Sequence, residues 1–298
     1  MAKGSEKGFH LAGIIPVSGM PLGFDTMLHP SMVMIGEKYL ALERSIAECA
    51  FAGCESIWIC VDDDVQPIIK KHVGEYVLDP VWIHRDFAKK DHRFYPKDEQ
   101  KIIPIYYVPF DCNERERLTS YAWGVVTAAR MAAHICGSIS RWLKPDKFYV
   151  SFPSGVYPVN FLREHRSKIS SEENFSLCFA GESYLDGRHL GFTFDLDDLK
   201  SVIKDVRKKT TKSYESLSTG EQKLLPKAER WSAKYFTLDE VFSCIKKAKN
   251  IIDIKDYNEM NSWEEYVDLL SCANHRCPER IFTRRPIYKI KEEKNEPK

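Results

Sequence analysis

Apolar and polar residues follow one another in blocks that predict strands and helices in alternation. Residues 9–17 form an apolar run, residues 37–52 carry apolar side chains near the helical repeat, and residues 56–61 form a second apolar run. Gly53 stands where a helix usually ends, and residues 65–73 have the pattern of a further short helix. Strand, helix, strand and helix in this order predict the start of a parallel α/β sheet.

The pattern continues after an interruption. Apolar runs predict strands over residues 102–110 and 147–152, and an Ala-rich segment predicts a long helix over residues 120–143. Shorter helices are predicted over residues 237–249 and 262–272, each starting with a Thr or Ser that suits an N-cap. These elements predict a three-layer α/β fold with a mainly parallel sheet.

Three segments lack a clear period. Residues 79–101 are charged and aromatic, which predicts an insertion on the surface. Residues 207–223 are polar and poor in helix formers, which predicts a mobile tract, and residues 284–298 predict a flexible tail. We therefore expect a single domain over residues 8–283.

Composition limits the partners. The chain has 298 residues, of which 43% are hydrophobic, and 44 Lys and Arg balance 43 Asp and Glu to a net charge of +1. This balance gives no overall field that would attract nucleic acid or an anionic membrane. No apolar run approaches the roughly 18 residues of a membrane helix, and the first residues lack a signal-peptide core, so we expect a cytoplasmic protein.

The nine cysteines are odd in number and mostly lie within apolar runs, which favours buried thiols in a reducing compartment over a disulfide framework. Cys272, His275 and Cys277 do not have the spacing of a zinc site, and no second cysteine pair accompanies them. We do not expect zinc to bind there.

Several segments resemble the nucleotidyltransferase-like α/β fold of sugar-phosphate nucleotidyltransferases and A-type glycosyltransferases. In order along the chain, the segments that carry the resemblance are Leu11-Ala12-Gly13, Ser31-Met32-Val33-Met34-Ile35, Leu42-Glu43-Arg44-Ser45-Ile46, AFAGCESIWICV, Thr119-Ser120-Tyr121-Ala122, KFYVSFPSGVYP and YNEMNSWEEYVDLL. The resemblance implies a nucleotide or nucleotide-sugar as the ligand, transfer of a nucleotidyl group to a sugar phosphate, and Mg²⁺ as the cofactor.

The chain departs from the family pattern where the family holds charge. No Arg or Lys occurs between Lys7 and Lys38, so the lysine that the resemblance implies after the first loop is missing. Ser154-Gly155 stands where the family has Gly-Asp, and Asn258 and Asn261 stand where its second acidic residue is expected. The resemblance therefore implies a divergent member whose charge comes from other residues or is lost.

Four loops after the predicted strands supply the candidate site residues. A strand-to-helix loop can present backbone N–H groups to a phosphate, and carboxylates can hold Mg²⁺. We expect Asp25, Arg115 and Arg117 to be catalytic, with the two arginines at the phosphates. The expected nucleotide-binding residues are Gly13, Ser18, Gly19, Gly23, Thr119 and Ser120, and the expected metal ligands are Asp62, Asp63 and Asp64. Each loop also has the composition of an ordinary turn.

Two alternatives to nucleotidyl transfer stay open. An A-type glycosyltransferase is suggested by the Asp-x-Asp spacing of Asp62 and Asp64, which such enzymes use to hold the metal of a sugar nucleotide. A catalytically inactive pseudoenzyme that acts as a binding or assembly protein is favoured by the missing lysine and the missing Gly-Asp pair. We also expect Tyr157 to be able to form a wall for a ring.

Overall fold

The structure is a computed structural model of the chain. It describes residues 9–20, 29–36, 39–81, 101–110, 120–210, 214–216, 220, 222–224 and 236–271. Within these residues no helix is long and apolar enough to cross a membrane.

Fourteen strands occur in the described part of the chain. In order they are β1 (Leu11–Pro16), β2 (Met34–Gly36), β3 (Tyr39–Leu40), β4 (Ser56–Asp62), β5 (Tyr76–Leu78), β6 (Ile102–Phe110), β7 (Lys147–Val150), β8 (Gly155–Val156), β9 (Phe175–Cys178), β10 (Phe192–Asp195), β11 (Tyr214–Ser216), β12 (Gln222–Leu224), β13 (Asn250–Asp253) and β14 (Asn258–Glu259).

Seven α-helices occur in the same residues. They are α1 (Ala41–Ala52), α2 (Gln66–Val73), α3 (Tyr121–Ile139), α4 (Arg166–Ile169), α5 (Leu196–Thr210), α6 (Leu238–Phe242) and α7 (Trp263–Ser271). Short 3-10 turns at Pro30–Met32, Asn160–His165 and Tyr184–Asp186 complete the described secondary structure.

An eight-stranded sheet in the described residues has the order β13-β9-β10-β7-β1-β4-β6-β5. β1 is parallel to β4 and β7, β4 is parallel to β6, and β9 is parallel to β13. β10 is antiparallel to β7 and β9, and β5 is antiparallel to β6. The mainly parallel α/β sheet predicted from the sequence is therefore confirmed.

Both faces of the sheet are covered, which explains why its central strands are continuous apolar runs. Along β1, Leu11 and Ile15 pack into a core with α1 and α2, whereas Ala12 and Ile14 pack into a second core with α3, α5 and α6. Gly13 lies between Leu11 and Ile15, and a side-chain carbon at this position would come within 2.8 Å of Cys49 Sγ. Helix α1 can therefore pack closely on the strand only because residue 13 is a glycine.

Two predicted helices end earlier than the sequence pattern indicates. Helix α3 ends at Ile139, because Ser140 is extended and its hydroxyl accepts a hydrogen bond from the backbone N–H of Trp142. Helix α6 ends at Phe242, and the backbone beyond it is bound by side chains. Lys246 N donates to Asp198 Oδ1, and Asn174 Nδ2 donates to Lys246 O.

The tract over residues 207–223, which the sequence predicts to be mobile and poor in helix, contains regular structure where it is described. Helix α5 continues to Thr210, with Lys209 paired to Asp205 at 2.7 Å and donating to Glu240 O. β11 pairs with β12 further along. Most of the predicted insertion over residues 79–101 and the predicted tail lie outside the described residues.

A buried ion pair within α1 is hydrogen-bonded to the end of β7. Arg44 and Glu48 are both fully buried, and Arg44 Nη2 lies 3.0 Å from Glu48 Oε2. Glu48 also accepts hydrogen bonds from the hydroxyls of Tyr149, Ser151 and Tyr157. A buried charge is tolerated only when such partners replace water, so this carboxylate depends on every one of them.

Arg44 binds the same region through different contacts. Its Nη2 atom donates to Phe152 O at 2.7 Å, and its guanidinium lies over the Tyr157 ring, 4.6 Å from the centroid. Burial by itself lowers the pKa of Arg44, but Glu48 and the tyrosines outweigh it, so the pKa rises above its ordinary value. The arginine therefore stays charged and fixes the backbone that follows β7.

Replacing Arg44 should leave Glu48 buried without its cation. We expect Arg44→Met to reduce the free energy of unfolding by about 3–5 kcal/mol. Tyr149→Phe removes a single hydrogen bond to Glu48 and should cost about 1–3 kcal/mol. Urea unfolding followed by circular dichroism measures both.

Lys200→Met is the control for Arg44→Met, because it breaks an exposed pair with Asp197 on α5. We expect that change to cost less than about 1 kcal/mol. Equal losses for Arg44→Met and Lys200→Met would contradict the central role of the buried pair.

Candidate functional site

The candidate site lies at the carboxyl edge of the sheet, where β1, β4 and β7 all end. After β1 the chain stays beside β4, because the backbone N–H groups of Val17 and Ser18 both donate to Cys60 O, at 2.8 and 3.1 Å. Helix α3 begins at the same edge, and a side-chain carbon on its Gly124 would lie 3.4 Å from Ser18 O. Ligands of open α/β sheets bind in crevices at this edge.

A serine and an aspartate connect the first loop to β4. Ser18 is buried, and its hydroxyl donates to Asp62 Oδ1 at 2.8 Å. Gly19 follows with a φ of 73°, in the left-handed region that favours glycine, so the chain turns sharply after Ser18. Ser18, Gly19 and Asp62, all predicted from the sequence, are thus brought together.

His29 lies close to the same aspartate and was missed by the sequence reasoning. Burial lowers the pKa of His29, while the nearby Asp62 carboxylate raises it in part. Its Nδ1 atom lies 2.9 Å from Ser31 Oγ and accepts a hydrogen bond from Ser31 N. His29 is therefore a neutral imidazole near neutral pH, held in place by the turn that begins at Pro30.

The other predicted site residues do not join Ser18, Gly19 and Asp62. Gly13 lies inside β1, paired in register with Ile57 and Tyr149, and not in the loop. Ser120 caps α3 by accepting a hydrogen bond from Trp123 N at 3.2 Å. Gly23, Asp25, Arg115, Arg117 and Thr119 lie outside the described residues, as do Cys272, His275 and Cys277.

The three aspartates at the end of β4 do not form a common site. Asp62 is half-buried and bonded to Ser18, whereas Asp63 and Asp64 lie in an exposed turn before α2. Across the described residues, no three His, Cys, Asp or Glu side chains come together in a way that could hold a metal ion. This part of the chain therefore does not by itself fit the Mg²⁺ that the resemblance implies.

A second polar cluster surrounds Glu259 on β14. This strand pairs with β8, so that Glu259 lies opposite Gly155. Glu259 Oε2 lies 2.9 Å from Arg188 Nη1, and its Oε1 lies 3.1 Å from His189 Nδ1. Burial by itself raises the pKa of Glu259, but the contacts with His189 and Arg188 outweigh it and lower the pKa to about 2.

The second cluster is enclosed by backbone and aromatic rings. A side-chain carbon on Gly155 would lie 2.0 Å from His189 O, so the two backbones touch. The His189 ring lies 5.1 Å from the Tyr121 ring, edge to face, and 5.4 Å from the Phe152 ring. Tyr121, at the start of α3, thereby links this cluster to the helix that packs beside Ser18.

Tyr157 does not form the wall for a ligand ring that the sequence predicts. Tyr157 is buried, donates to Glu48 and accepts a hydrogen bond from Gly191 N at 3.2 Å. The residue belongs to the core network because its hydroxyl satisfies the buried carboxylate. Tyr121 and His189 supply the rings at this edge instead.

The sequence contains one signal for the second cluster. The segment YNEMN has a single acidic residue, Glu259, between the asparagines considered at the family's acidic position. Its partners Arg188 and His189 lie about 70 residues earlier in the sequence, and they meet it because β14 pairs with β8, whose Gly155 touches the His189 backbone. A local pattern does not report such a contact.

Comparison of the sequence with protein-family models and with curated proteins gives no match. Comparison of the structure gives clear likenesses. A Bacillus anthracis protein assigned as a glucose-1-phosphate thymidylyltransferase, solved with sucrose, matches over 88% of this chain and 94% of its own, at a TM-score of 0.52 and 8% identity. The chain has the fold of sugar-phosphate nucleotidyltransferases.

A UDP-glucose pyrophosphorylase solved with UDP-glucose is similar over 88% of this chain and 98% of its own, at a TM-score of 0.50 and 11% identity. At such low identity the likeness establishes the fold alone. It confirms the nucleotidyltransferase-like architecture that the sequence motifs imply.

The lowered pKa of Glu259 predicts an acid-dependent loss of stability. Because the pKa is depressed in the folded chain, the contribution is complete above the ordinary value of 4.5 and is lost as the pH falls toward about 2. Glu259→Gln should therefore be less stable than the parent at neutral pH, and the difference should shrink across this window. Chemical unfolding at a series of pH values measures it.

Glu182→Gln is the matched control, because Glu182 contacts Arg188 at 2.7 Å but is exposed. We expect only a small effect of pH on the difference between Glu182→Gln and the parent. A difference for Glu259→Gln that does not change with pH would contradict the assignment.

Proposed function

We propose that the chain binds a nucleotide or a nucleotide-sugar at the carboxyl edge of the sheet, as a divergent nucleotidyltransferase-like protein. The observation that carries the proposal is the bond from Ser18 to Asp62, which fixes the first loop against β4 where this fold leaves room for a ligand. One structural neighbour is complexed with UDP-glucose, which supports the same class of ligand here.

The first loop supplies polar groups but no positive charge. Gly19 and the neutral His29 supply backbone and imidazole groups, which suit the hydroxyls of a ribose or sugar and the edge of a base, whereas the buried Ser18 hydroxyl holds Asp62. Residues 9–36 contain no Lys or Arg, so phosphate charge must be met from elsewhere. Arg115 and Arg117 remain our proposed source of that charge, and Asp25 a proposed catalytic carboxylate.

Nucleotidyl transfer is the activity that we propose for this site. The oxygen of a sugar phosphate would attack the α-phosphorus of a nucleoside triphosphate, and pyrophosphate would leave with the bonding electron pair. Asp62 is the half-buried carboxylate at this edge, but the described residues by themselves do not complete a site for an Mg²⁺ ion that would offset the charge of a triphosphate. The transfer of a sugar from a nucleotide-sugar would instead release a nucleoside diphosphate.

Binding without transfer is a second candidate function, and the state of Glu259 favours it. Both carboxylate oxygens of Glu259 already have partners, Arg188 Nη1 at one and His189 Nδ1 at the other. A carboxylate occupied in this way is poorly suited to hold a further cation. Near Gly155, Glu259 is therefore held in an ion pair with Arg188. Such a carboxylate suits a protein that binds a ligand without catalysing its transfer.

Thermal unfolding with ligands tests the proposal. We expect nucleoside triphosphates or nucleotide-sugars to raise the melting temperature, since a ligand at about 100 times its Kd stabilises a protein by about 2.7 kcal/mol. Each ligand is compared with and without Mg²⁺ or Mn²⁺. Release of pyrophosphate from a triphosphate and sugar 1-phosphate indicates nucleotidyl transfer, and release of a nucleoside diphosphate from a nucleotide-sugar indicates glycosyl transfer.

Asp62→Asn and Asp63→Asn are the matched variants for this test. Asp62→Asn weakens the bond from Ser18, so we expect ligand affinity to fall by about tenfold or more. Asp63 is an exposed neighbour, and its variant should bind as the parent does. The proposed site would be overturned if no ligand raised the melting temperature, or if both variants lost the same ligand affinity. A rise in melting temperature without product release would show binding without transfer.

A further inference from the structure

An exposed apolar surface with positive charge lies at the end of α3. It consists of Ile135, Ile139, Trp142 and Leu143, with Trp142 78% and Ile139 70% exposed. Arg141 and Lys144 flank these side chains, and residues 121–145 contain no Asp or Glu. We name this surface, Ile135 to Lys144, the basic apolar patch.

A second exposed apolar surface lies on α7 and has the opposite charge. Trp263, Val267 and Leu270 are 51%, 42% and 50% exposed, and their spacing places them along one face of the helix. Glu264 and Asp268 are exposed in a row beside that face. We name this surface the acidic apolar patch. Surfaces of this kind often mark contacts with other proteins.

The two patches lie at opposite edges of the sheet. Helix α3 begins at the carboxyl edge, where Tyr121 meets Ser154, and ends at the amino edge, where Leu143 O contacts His10 Nδ1 just before β1. Helix α7 packs on β14 and β2, and β14 pairs with β8 beyond the end of β7. The patches therefore cannot meet within one molecule.

We propose that the chain associates head to tail with a second copy of itself, the basic apolar patch of one molecule docking on the acidic apolar patch of the next. Each patch supplies a tryptophan, further aliphatic side chains and a pair of like charges. Arg141 and Lys144 of one copy are equal in number and opposite in sign to Glu264 and Asp268 of the other. A single contact thus covers both exposed apolar surfaces.

Charge also argues against the simplest alternative. A two-fold dimer built on a single patch places that patch on both sides of the interface. Pairing two basic patches would oppose Arg141 and Lys144 to the same residues, and pairing two acidic patches would oppose Glu264 to Asp268. Like charges across an interface are unfavourable, so the complementary, head-to-tail contact is preferred. Contacts of this type build rings or open chains of molecules.

The contact has a consequence for the carboxyl edge. Helix α7 lies beside β14, which carries Glu259, so a docked copy would bring Arg141 and Lys144 to the edge that holds the candidate site. The association itself rests on the two patches and stands or falls separately from nucleotide binding.

Charge reversal tests the proposal directly. Variant A carries Arg141→Glu and Lys144→Glu, and variant B carries Glu264→Lys and Asp268→Lys. We expect the parent to show a mean mass that rises with concentration in analytical ultracentrifugation, and each variant alone to lose that rise. Mixing A with B restores complementary charge at both contacts, so the mixture should associate again.

Lys200→Glu with Lys204→Glu on α5 is the control, since it makes the same change in net charge as variant A on a different exposed surface. This control should associate like the parent. A monomeric parent at every concentration, or variants A and B that associate unchanged, would overturn the proposal. So would binding of a monomeric parent to anionic phospholipid vesicles through Trp142, which would assign the basic apolar patch to a membrane surface.

Discussion

The buried pair of Arg44 and Glu48 is the interaction on which the rest of the structure depends. Both charges are removed from water, so each must be matched by partners that only the folded chain supplies. Those partners come from α1, from β7 and from the segment after it, including Tyr149 and Tyr157. The pair therefore ties the first helix to the strand end beside the candidate site.

This constraint explains the form of the carboxyl edge. Arg44 holds Phe152 O and so fixes the path of the chain toward Gly155 and β8, where β14 pairs and places Glu259. On the other side of the same edge, Ser18 binds Asp62 across the ends of β1 and β4. The same sheet therefore positions the core network and both polar clusters.

Most of the fold could be predicted from the sequence, because parallel strands covered on both faces are continuous apolar runs. The ends of α3 and α6 could not, since Ser140, Asp198 and Asn174 compete for backbone groups through contacts that are partly distant in sequence. In the candidate site, Ser18 and Asp62 follow strands directly and were predictable. Glu259 was not, because it meets Arg188 and His189 through strand pairing.

Hydrogen–deuterium exchange with and without a nucleotide-sugar such as UDP-glucose tests most directly whether the carboxyl edge binds the ligand. Backbone amides are protected where a ligand or closed structure shields them. We predict slower exchange in peptides that cover residues 14–20 and 60–66, at the ends of β1 and β4, with little change in α5. Protection confined to α5 or elsewhere, with none at these strand ends, would contradict the account.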